Sequence, residues 1–546
     1  MEVISVERMD QLGVIAGVIK DLKLIEKIDA RFAQSETESI STGEAIAGMV
    51  MSGLGFSDSP ISLTPEFFKD KPLDRLFRVG VKSDDFNRFK LGRSLDKVFN
   101  YGCDALFSEL ALEACQIEGV DTSQNHLDTT TFSLCGEYLP DSDEQEIEIV
   151  YGYSKAKRPD LKQAVLEMVV TSDGRVPMMS KSWSGNASDS KIFNKRLEAL
   201  ANELKKGETP SLIVADSKLY SKDNATFFNQ IPFLTRIPSL IKLTKQLIEQ
   251  ALSDGSNWES LRDGYRGYQV ALGHYGVEQY WNVIYSEDAN HRASISMKRK
   301  LEKEKGLIDK QIKKLKGQSF NCKKDAEVAT KLLAKKWKYH HQEKIQYQVI
   351  KRYAHSGKPN AETPIKAVEW QVLLQYQCDQ NLVDAQIERE SCFVLGTSWS
   401  PTDMPMQEIL EKYKTQDSVE RGFRFLKDPK FFVSSLFLKK PSRIQGLLMV
   451  MSLALLVYTI AERRLRKALE KQNDTLPNQI KQPTVTPTLR WVFQLLRGIN
   501  LVTIRLGDTD HTSYQGITDL HRKIFSLLGD SVQKLYSVSE KEACSM

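Results

Sequence analysis

The sequence predicts a mixed α/β fold with an α-helical amino-terminal domain and a β-rich, partly helical insertion in the sheet-forming core. Three patterns support this fold class. Apolar residues recur at helical spacing over residues 1–120, β-branched strand-like runs follow over residues 121–244, and aromatic strand-like runs flank a lysine-rich segment within residues 245–400. At 546 residues the chain is long enough to form several hydrophobic cores.

Residues 1–120 are expected to form several helices in series. Apolar residues recur at helical spacing between Leu12 and Ile25, and Thr42 precedes a second helical run. Shorter helices are predicted at residues 73–78, 90–101 and 104–117. Such a series is typical either of a helix-turn-helix-like DNA reader or of a packed helical cap, and the sequence does not separate the two.

Two strand-like segments each carry an aspartate. Residues 126–134 are rich in β-branched side chains, and with a period of two Asp128 shares a face with Phe132. Residues 211–216 form a short apolar run that ends in Asp216, at the end of a strand where open α/β sheets place ligand groups. The structural alternative for Asp128 is a hydrogen bond to nearby backbone or to a lysine.

The segments around these aspartates complete the predicted sheet. A β-hairpin and a further strand are expected at residues 165–171, 176–184 and 233–238. The last of these contains Arg236. A turn rich in glycine and proline at residues 151–160 carries Lys155 and Lys157 and is suited to contact phosphates, although alone it is a weak signal.

Residues 413–427 are predicted to form one helix with a polar face. At about 100° per residue, that face carries Tyr413, Gln416, Glu420, Arg424 and Lys427. A carboxylate beside cations suits a site that holds a divalent metal and a phosphate backbone together. The alternative is an ordinary solvated helix surface with salt bridges.

Positive charge is concentrated in one segment. The chain has a net charge of +5, whereas residues 292–344 hold 17 Lys or Arg against 6 Asp or Glu, a balance of +11 that leaves −6 for the remainder. Regional positive potential of this kind is typical of contact with a polyanion. Two apolar stripes predict an antiparallel helical hairpin here, which is either a DNA-contacting arm or a solvated hairpin.

Disulfide-stabilised, secreted and membrane-spanning classes are not indicated. Seven cysteines without a Cys-x-x-Cys pair argue for reduced thiols rather than a disulfide or zinc framework. The first residues lack the pattern of a signal peptide, and the apolar run at residues 447–460 is shorter than the roughly 18 to 20 residues of a membrane span. We therefore expect a cytoplasmic protein without a membrane segment, and a buried helix at residues 447–460.

Two strand aspartates and one helix glutamate are the smallest acidic set able to hold two Mg²⁺ ions about 4 Å apart. The predicted ligands are Asp128, Asp216 and Glu420, separated by 88 and 204 positions. Such metals activate an attacking water or 3′-hydroxyl and stabilise the leaving 3′-oxygen of a phosphodiester. This order of acidic residues is the arrangement of ribonuclease-H-like nucleotidyl transferases. Weaker alternative ligands are Asp417, Asp121 and Asp189.

Six motifs together resemble the DDE transposases of bacterial insertion sequences. They are LDTTTFSL around Asp128, GYSKAKRPDLKQ, SWSGNASDSKIF, LIVADSKLYS around Asp216, FLTRIP and the helix at residues 413–427. The resemblance covers most of the chain and places Asp128, Asp216 and Glu420 on the metal-binding triad, with Mg²⁺ as the metal and Mn²⁺ as a substitute. The family's Tyr-x2-Arg-x3-Glu-x6-Lys helix has Gln416 in place of arginine here, which removes a charge directed at phosphate.

The resemblance implies a ribonuclease-H-like catalytic core that cuts at terminal inverted repeats and joins the freed 3′-hydroxyl to target DNA. It further implies double-stranded DNA as the partner, a homodimer in the DNA complex, and a place at the bacterial nucleoid. The side chains expected to contact DNA are Tyr413, Gln416, Arg424, Lys427, Arg236, Lys155 and Lys157. A structure-specific nuclease without strand transfer and a DNA-binding protein that has lost catalysis are the alternative functions.

The expected organisation has five parts. They are a helical domain at residues 1–120, the first part of the core at 121–244, the insertion at 245–400, the last part of the core with the signature helix at 401–470, and a linker with a helical region at 471–546.

Overall fold

The computed structural model divides the chain into two compact units. The first comprises Met1–Thr235, Tyr275–Val277 and Ile409–Met546, and the second comprises Arg236–His274 and Glu278–Glu408. The structure describes all residues except 1, 34–37, 57–59, 135, 139–146, 156, 205–211, 254–256, 355–357, 361–362, 429–437, 508 and 539–546.

The amino-terminal part of the first unit begins with a strand and continues with helices. These are β1 (Glu2–Arg8), α1 (Leu12–Asp21), α2 (Leu24–Asp29), α3 (Thr42–Leu54), α4 (Thr64–Phe68), α5 (Leu73–Leu76), α6 (Arg88–Tyr101) and α7 (Cys103–Glu118). The predicted helices are therefore confirmed, and β1 was not predicted. α3 begins at a capping box, in which the Ser41 hydroxyl and the Glu44 carboxylate each accept a hydrogen bond from the other residue's N–H.

The sheet of the first unit is mixed. Its elements are β2 (Gln124–Leu134), β3 (Lys162–Thr171), β4 (Pro177–Ser184), α8 (Asp189–Leu204), β5 (Leu212–Ala215), α9 (Lys222–Ala225) and β6 (Phe233–Arg236). The strands follow the order β4-β3-β2-β5-β6, with antiparallel pairing from β4 to β2 and parallel pairing from β2 to β6. The predicted hairpin and strands are confirmed.

The second unit contains long strands and the basic helices. Its elements are α10 (Lys242–Ser253), β7 (Glu259–Leu261), β8 (Tyr265–His274), β9 (Val277–Ser286), α11 (Glu287–Lys316), α12 (Lys323–Ala334), β10 (His340–Tyr353), β11 (Ile365–Cys378), α13 (Gln380–Glu390) and β12 (Cys392–Thr397). Both basic helices are confirmed, and each packs against β11 of the β10–β11 hairpin. Their apolar residues Leu315 and Ala326 cluster with Val372 and Leu374 of that strand.

The chain then returns to the first unit. Its elements are α14 (Met406–Lys414), α15 (Asp417–Leu426), α16 (Pro441–Gln472), β13 (Leu476–Pro477), β14 (Pro483–Thr484), α17 (Leu489–Leu495), β15 (Asn500–Leu506), β16 (Thr509–Gln515), α18 (Asp519–Leu528) and α19 (Asp530–Leu535). β15 pairs with β16 on one side and with β1 on the other, both antiparallel. This small sheet joins the two ends of the described chain.

α16 is the central helix of the first unit. Its apolar residues belong to one buried cluster together with residues of α1, α3, α6, α7, α18 and the β2–β4 strands. By length and composition it is the one helix in the described chain that could cross a membrane, and 94% of its most apolar window is buried inside the protein. The predicted buried helix at residues 447–460 is therefore confirmed.

Candidate functional site

Asp128 and Asp216 lie where the parallel pairing of β2 with β5 ends, Asp128 in the middle of β2 and Asp216 directly after β5. The register of β2 with β5 ends with Leu127 opposite Ala215, so the next residue on each strand is one of the two aspartates. Burial raises the pKa of Asp128 to about 6 against the opposing effect of a nearby lysine, and the negative charge of Asp216 adds to the rise. The structure thus brings two of the three predicted acidic residues together.

Asp189, at the first position of α8, is a third carboxylate beside this pair. Its side chain is 9% exposed, accepts a 2.5 Å hydrogen bond from the Thr129 hydroxyl, lies 3.3 Å from Lys155 Nζ and forms an ion pair with Lys218. Burial alone would raise its pKa, but these bonds hold the pKa of Asp189 below its usual value. The sequence signal for Asp189 is weak, namely a carboxylate directly after the SWSGNAS loop.

Two lysines bridge the carboxylates. Lys155 Nζ donates to the carbonyl and hydroxyl oxygens of Thr129, at 2.6 and 2.7 Å, and lies 3.6 Å from Asp128 Oδ1. Lys218 donates its backbone N–H to Asp216 Oδ1 at 3.0 Å, while its ammonium group pairs with Asp189. Lys155 is among the residues that the sequence predicts to contact phosphate, and Lys218 is not. Both ammonium groups lie among the aspartates.

Residues 413–427 form two helices rather than the single helix that the sequence predicts. α14 ends at residue 414 and α15 begins at residue 417. Tyr413 is therefore on the first helix and Glu420 on the second, with Gln416 between them. The prediction of one continuous polar face was wrong.

Local hydrogen bonds explain the break. The N–H of Gln416 bonds to the carbonyl of Tyr413, and the N–H of Val419 bonds to the carbonyl of Gln416, each three residues back instead of four. The Thr415 hydroxyl also donates to the carbonyl of Lys412 at 2.6 Å. Such side-chain bonding competes with the regular helical ladder.

α15 packs against β2 and β3 with its apolar face. Its buried residues are Val419, Phe423 and Leu426. Glu420 and Arg424 are exposed. Lys427, which follows the helix, places its Nζ 5.8 Å from the centroid of the Phe132 ring. Burial and the positive charge of Lys155 lower the pKa of Lys427, and the negative charge of Asp128 acts in the opposite direction.

Glu420 does not form a three-carboxylate metal site with the two aspartates in the described part of the chain. Across the residues that the structure describes, no three acidic, histidine or cysteine side chains lie close enough to hold a metal ion. Asp128 and Asp216 offer the hard oxygen donors that Mg²⁺ prefers, and Glu420 lies on a helix packed against the strand of Asp128. The donor set therefore fits a divalent cation in part, and Glu420 as the third ligand stays a prediction.

The other residues predicted to contact DNA are spread over both units. Tyr413 and Gln416 are half-buried, and Lys157 is exposed with a left-handed backbone, φ 58°. Arg236 is exposed, and its guanidinium carbon lies 5.4 Å from the centroid of the Phe393 ring. Their roles stay predictions.

Asp417, Asp121 and Asp189 are the alternative ligands. Of these, only Asp189 has a described contact with Lys155 and Lys218. Asp121 accepts a 2.9 Å hydrogen bond from the Ser123 N–H and donates its own N–H to Asp173 at 3.1 Å, beside the β3–β4 turn. The side chain of Asp417 lies outside the described residues. Asp189 is therefore the carboxylate that the structure adds to the predicted site.

A carboxylate at the end of a parallel strand, as Asp216 is after β5, is typical of α/β proteins that bind ligands at that edge of the sheet. Comparison with family models is more specific. Residues 125–457 match the transposase DDE domain, and residues 4–112 match a domain of unknown function, DUF4277. The chain belongs to the transposase DDE domain family, so the resemblance inferred from the sequence is confirmed.

Comparison with solved structures includes a piggyBac transposase in a synaptic complex with hairpin DNA. The sequence identity is 8% and the TM-score is 0.36, over 90% of this chain and 82% of that chain. A TM-score this low does not assign a fold. Comparison with curated proteins gives no match.

Proposed function

We propose that this transposase binds the terminal inverted repeats of an insertion sequence and catalyses divalent-metal-dependent cleavage and strand transfer of phosphodiesters in a ribonuclease-H-like core. The placement of Asp128 beside Asp216, just past the last parallel pair of β2 and β5, carries the proposal. Burial and neighbouring carboxylates raise the pKa of Asp128. The raised pKa means that ionising Asp128 costs free energy. Because a divalent cation favours ionised carboxylates, its binding would offset that cost.

The proposed metal ligands are Asp128, Asp216 and Glu420, with Mg²⁺ as the metal and Mn²⁺ as a substitute. When bound, Mg²⁺ lowers the pKa of an attacking water or 3′-hydroxyl and stabilises the leaving oxygen. Lys155 and Lys218 supply ammonium groups at the same place for the oxygens of a phosphate. Asp189 holds both lysines in position through its ion pairs.

Double-stranded DNA is the proposed partner, bound at the nucleoid by a homodimer. The proposed contacts are Tyr413, Gln416, Arg424, Lys427, Arg236, Lys155 and Lys157. The exposure of Lys157, Arg424 and Arg236 supports contact with a polyanion, because exposed cations can release counterions from the DNA backbone.

Cleavage of a duplex that carries the element's own ends tests the site. Asp128→Ala, Asp216→Ala and Glu420→Gln should each reduce Mg²⁺-dependent nicking on the order of 100-fold or more, because each removes a group that stabilises the transition state. Binding to the ends should be retained in a gel-shift assay. Asp223→Asn, at an exposed carboxylate on α9, is the matched control and should cut normally. Full cleavage by all three variants would reject the site assignment.

A strand-transfer gel separates the proposed function from the alternatives. A transposase gives joined products between the cut end and a target plasmid. A structure-specific nuclease gives cut products alone, and an inactive derivative binds the ends without cutting in either Mg²⁺ or Mn²⁺.

A further inference from the structure

A cavity of about 460 Å³ lies in the first unit, between the first turns of α6 and α16. We call it the arginine groove and define it by Arg88, Phe89, Arg93, Leu438 and Arg443. Its lining residues, all within the described chain, include no aspartate or glutamate. Most of its lining residues lie in the domain of unknown function, and none of them belongs to the acidic site.

The arginines of the groove are available to a ligand. Phe89 and Arg93 are four residues apart and share one face of α6. Arg88 and Arg93 are exposed, and neither forms a hydrogen bond or ion pair with any residue that the structure describes. Arg443 reaches across from α16 to Asp96 and donates two hydrogen bonds to it, of 2.8 and 2.7 Å. The three arginines of the groove therefore carry three positive charges, and Asp96 neutralises one of them.

The floor of the groove is shaped for a guanidinium group. A Cβ atom at position 92 would come 3.0 Å from Nη1 of Arg443, so Gly92 lets that guanidinium lie against the helix. Asp96 engages Nε and Nη2, and Nη1 has no hydrogen-bond partner among the described residues. Arg443 is thus held in place while one edge of its guanidinium group stays open.

Phe89 is unusual for a solvated helix surface. Its side chain is 62% exposed, and the guanidinium carbon of Arg88 lies 4.7 Å from the centroid of its ring. Exposed aromatic rings beside cationic groups are typical of nucleic-acid-binding grooves, where rings stack on bases or sugars and cations bind phosphates. An acidic peptide would match the charge but offers fewer flat surfaces to the ring.

We propose that the arginine groove binds the phosphodiester backbone of DNA and that Phe89 packs against the adjoining nucleotide. The proposal rests on the proposed function, because it takes DNA as the substrate. It gives the amino-terminal domain a defined surface that holds DNA. Arg88 and Arg93 bind phosphates directly, and Arg443 is fixed by Asp96 at the opposite wall.

The salt dependence of DNA binding tests the groove. Binding of the full chain to an end-bearing duplex is measured without Mg²⁺ between about 50 and 300 mM salt, a range in which phosphate contacts dominate the dependence. The Arg88→Ala/Arg93→Ala variant should bind more weakly and lose about 2 from the slope of log affinity against log salt, because each phosphate contact contributes roughly 0.9. Phe89→Ala should weaken binding and Phe89→Trp should preserve it.

The control is Arg522→Ala, which removes an exposed arginine from α18 and should leave the slope unchanged. Thermal melts followed by circular dichroism show whether each variant is folded. If the double variant matches Arg522→Ala in affinity and slope, the groove proposal is overturned, and an acidic protein partner takes its place. If the wild-type chain binds no duplex at low salt, the proposed function is overturned as well.

Discussion

The charge balance of the site depends on Asp189 as much as on the predicted ligands. Asp128 and Asp216 can be found from sequence, because each stands at a recognisable place in a strand. Asp189 is only an alternative ligand in the sequence, since its partners Thr129 and Lys218 lie 60 and 29 positions away along the chain. Only the folded sheet shows that this carboxylate fixes Lys155 and Lys218.

Asp189→Asn is expected to reduce cleavage about 10- to 100-fold, because Lys155 and Lys218 lose the ion pairs that position them. The free energy of unfolding should fall by about 1 to 3 kcal/mol, since the amide still accepts the Thr129 hydrogen bond but carries no charge. Urea unfolding at pH 7 and the end-cleavage assay measure the two effects.

The control for this variant is Asp160→Asn, whose carboxylate is 59% exposed and pairs with Arg158. Asp160→Asn should change neither the cleavage rate nor the free energy of unfolding measurably. Wild-type cleavage by Asp189→Asn would show that the lysines do not depend on this carboxylate.

Most helices and strands follow from periodicity, and the missed elements have physical reasons. β1 has no buried residue, so its sequence lacks the apolar alternation of a half-buried strand. A helical wheel does not predict the break between α14 and α15. The Thr415 hydroxyl bonds to a nearby backbone carbonyl, and such bonds compete with the backbone hydrogen bonds of a helix. The relation of Glu420 to Asp128 likewise depends on how α15 packs, which spacing along the chain does not specify.

The β3–β4 turn is joined to α16 by a buried arginine. Arg463 is 5% exposed, donates to both oxygens of Asp173, and donates to the carbonyls of Glu118 and Gly119 at 2.9 and 2.8 Å. Gly174 has a φ of 78°, and a Cβ there would meet Arg463 Cδ at 2.5 Å. The Asp-Gly pair therefore serves the packing of the helix as well as the turn.

The stability of this junction should depend on pH. Burial would raise the pKa of Asp173, but hydrogen bonds from Arg463, from backbone and from Lys467 lower it to about 2. Because this lies below the unfolded value of about 3.9, the carboxylate stabilises the fold above that pH and loses the effect as pH falls towards 2. With allowance for solvent screening the effect is about 1 to 2 kcal/mol.

Asp173→Asn should therefore be less stable than the wild type at pH 6, and the difference should narrow at about pH 3, where the carboxyl of Asp173 is mostly protonated in the unfolded chain while it is still largely ionised in the folded protein. Urea unfolding at both pH values measures the difference. Asp223→Asn, which has an exposed carboxylate, should track the wild type throughout. If the two proteins differ in unfolding free energy by the same amount at both pH values, Asp173 does not have the proposed role.

At the scale of the molecule, the first unit draws its core from both ends of the chain. The Tyr536 hydroxyl donates to the carbonyl of Asp10, and a Cβ at Gly17 would come 2.6 Å from Val532 Cγ2. α1 thus packs closely on α19, and the matched amino-terminal domain shares its core with the sheet of Asp128. Sequence patterns do not reveal such contacts, and the five-part division stays a prediction.

A fragment of residues 113–546, which lacks the matched amino-terminal domain, is expected to fold poorly. Its loss would expose the apolar faces of α16 and α19 that α1, α3 and α6 cover. Size-exclusion chromatography and thermal melts should show aggregation or no cooperative transition. A soluble fragment that melts cooperatively like the full chain would contradict a shared core.

The pairing of β1 with β15 also bears on synthesis. A ribosome adds roughly 5 to 20 residues per second, so strand residues 2–8 wait on the order of 25 to 100 s before their partner at 500–506 emerges. During that interval the amino-terminal helices carry uncovered apolar surface. We therefore expect the nascent chain to depend on chaperones that bind its exposed apolar segments until translation is nearly complete.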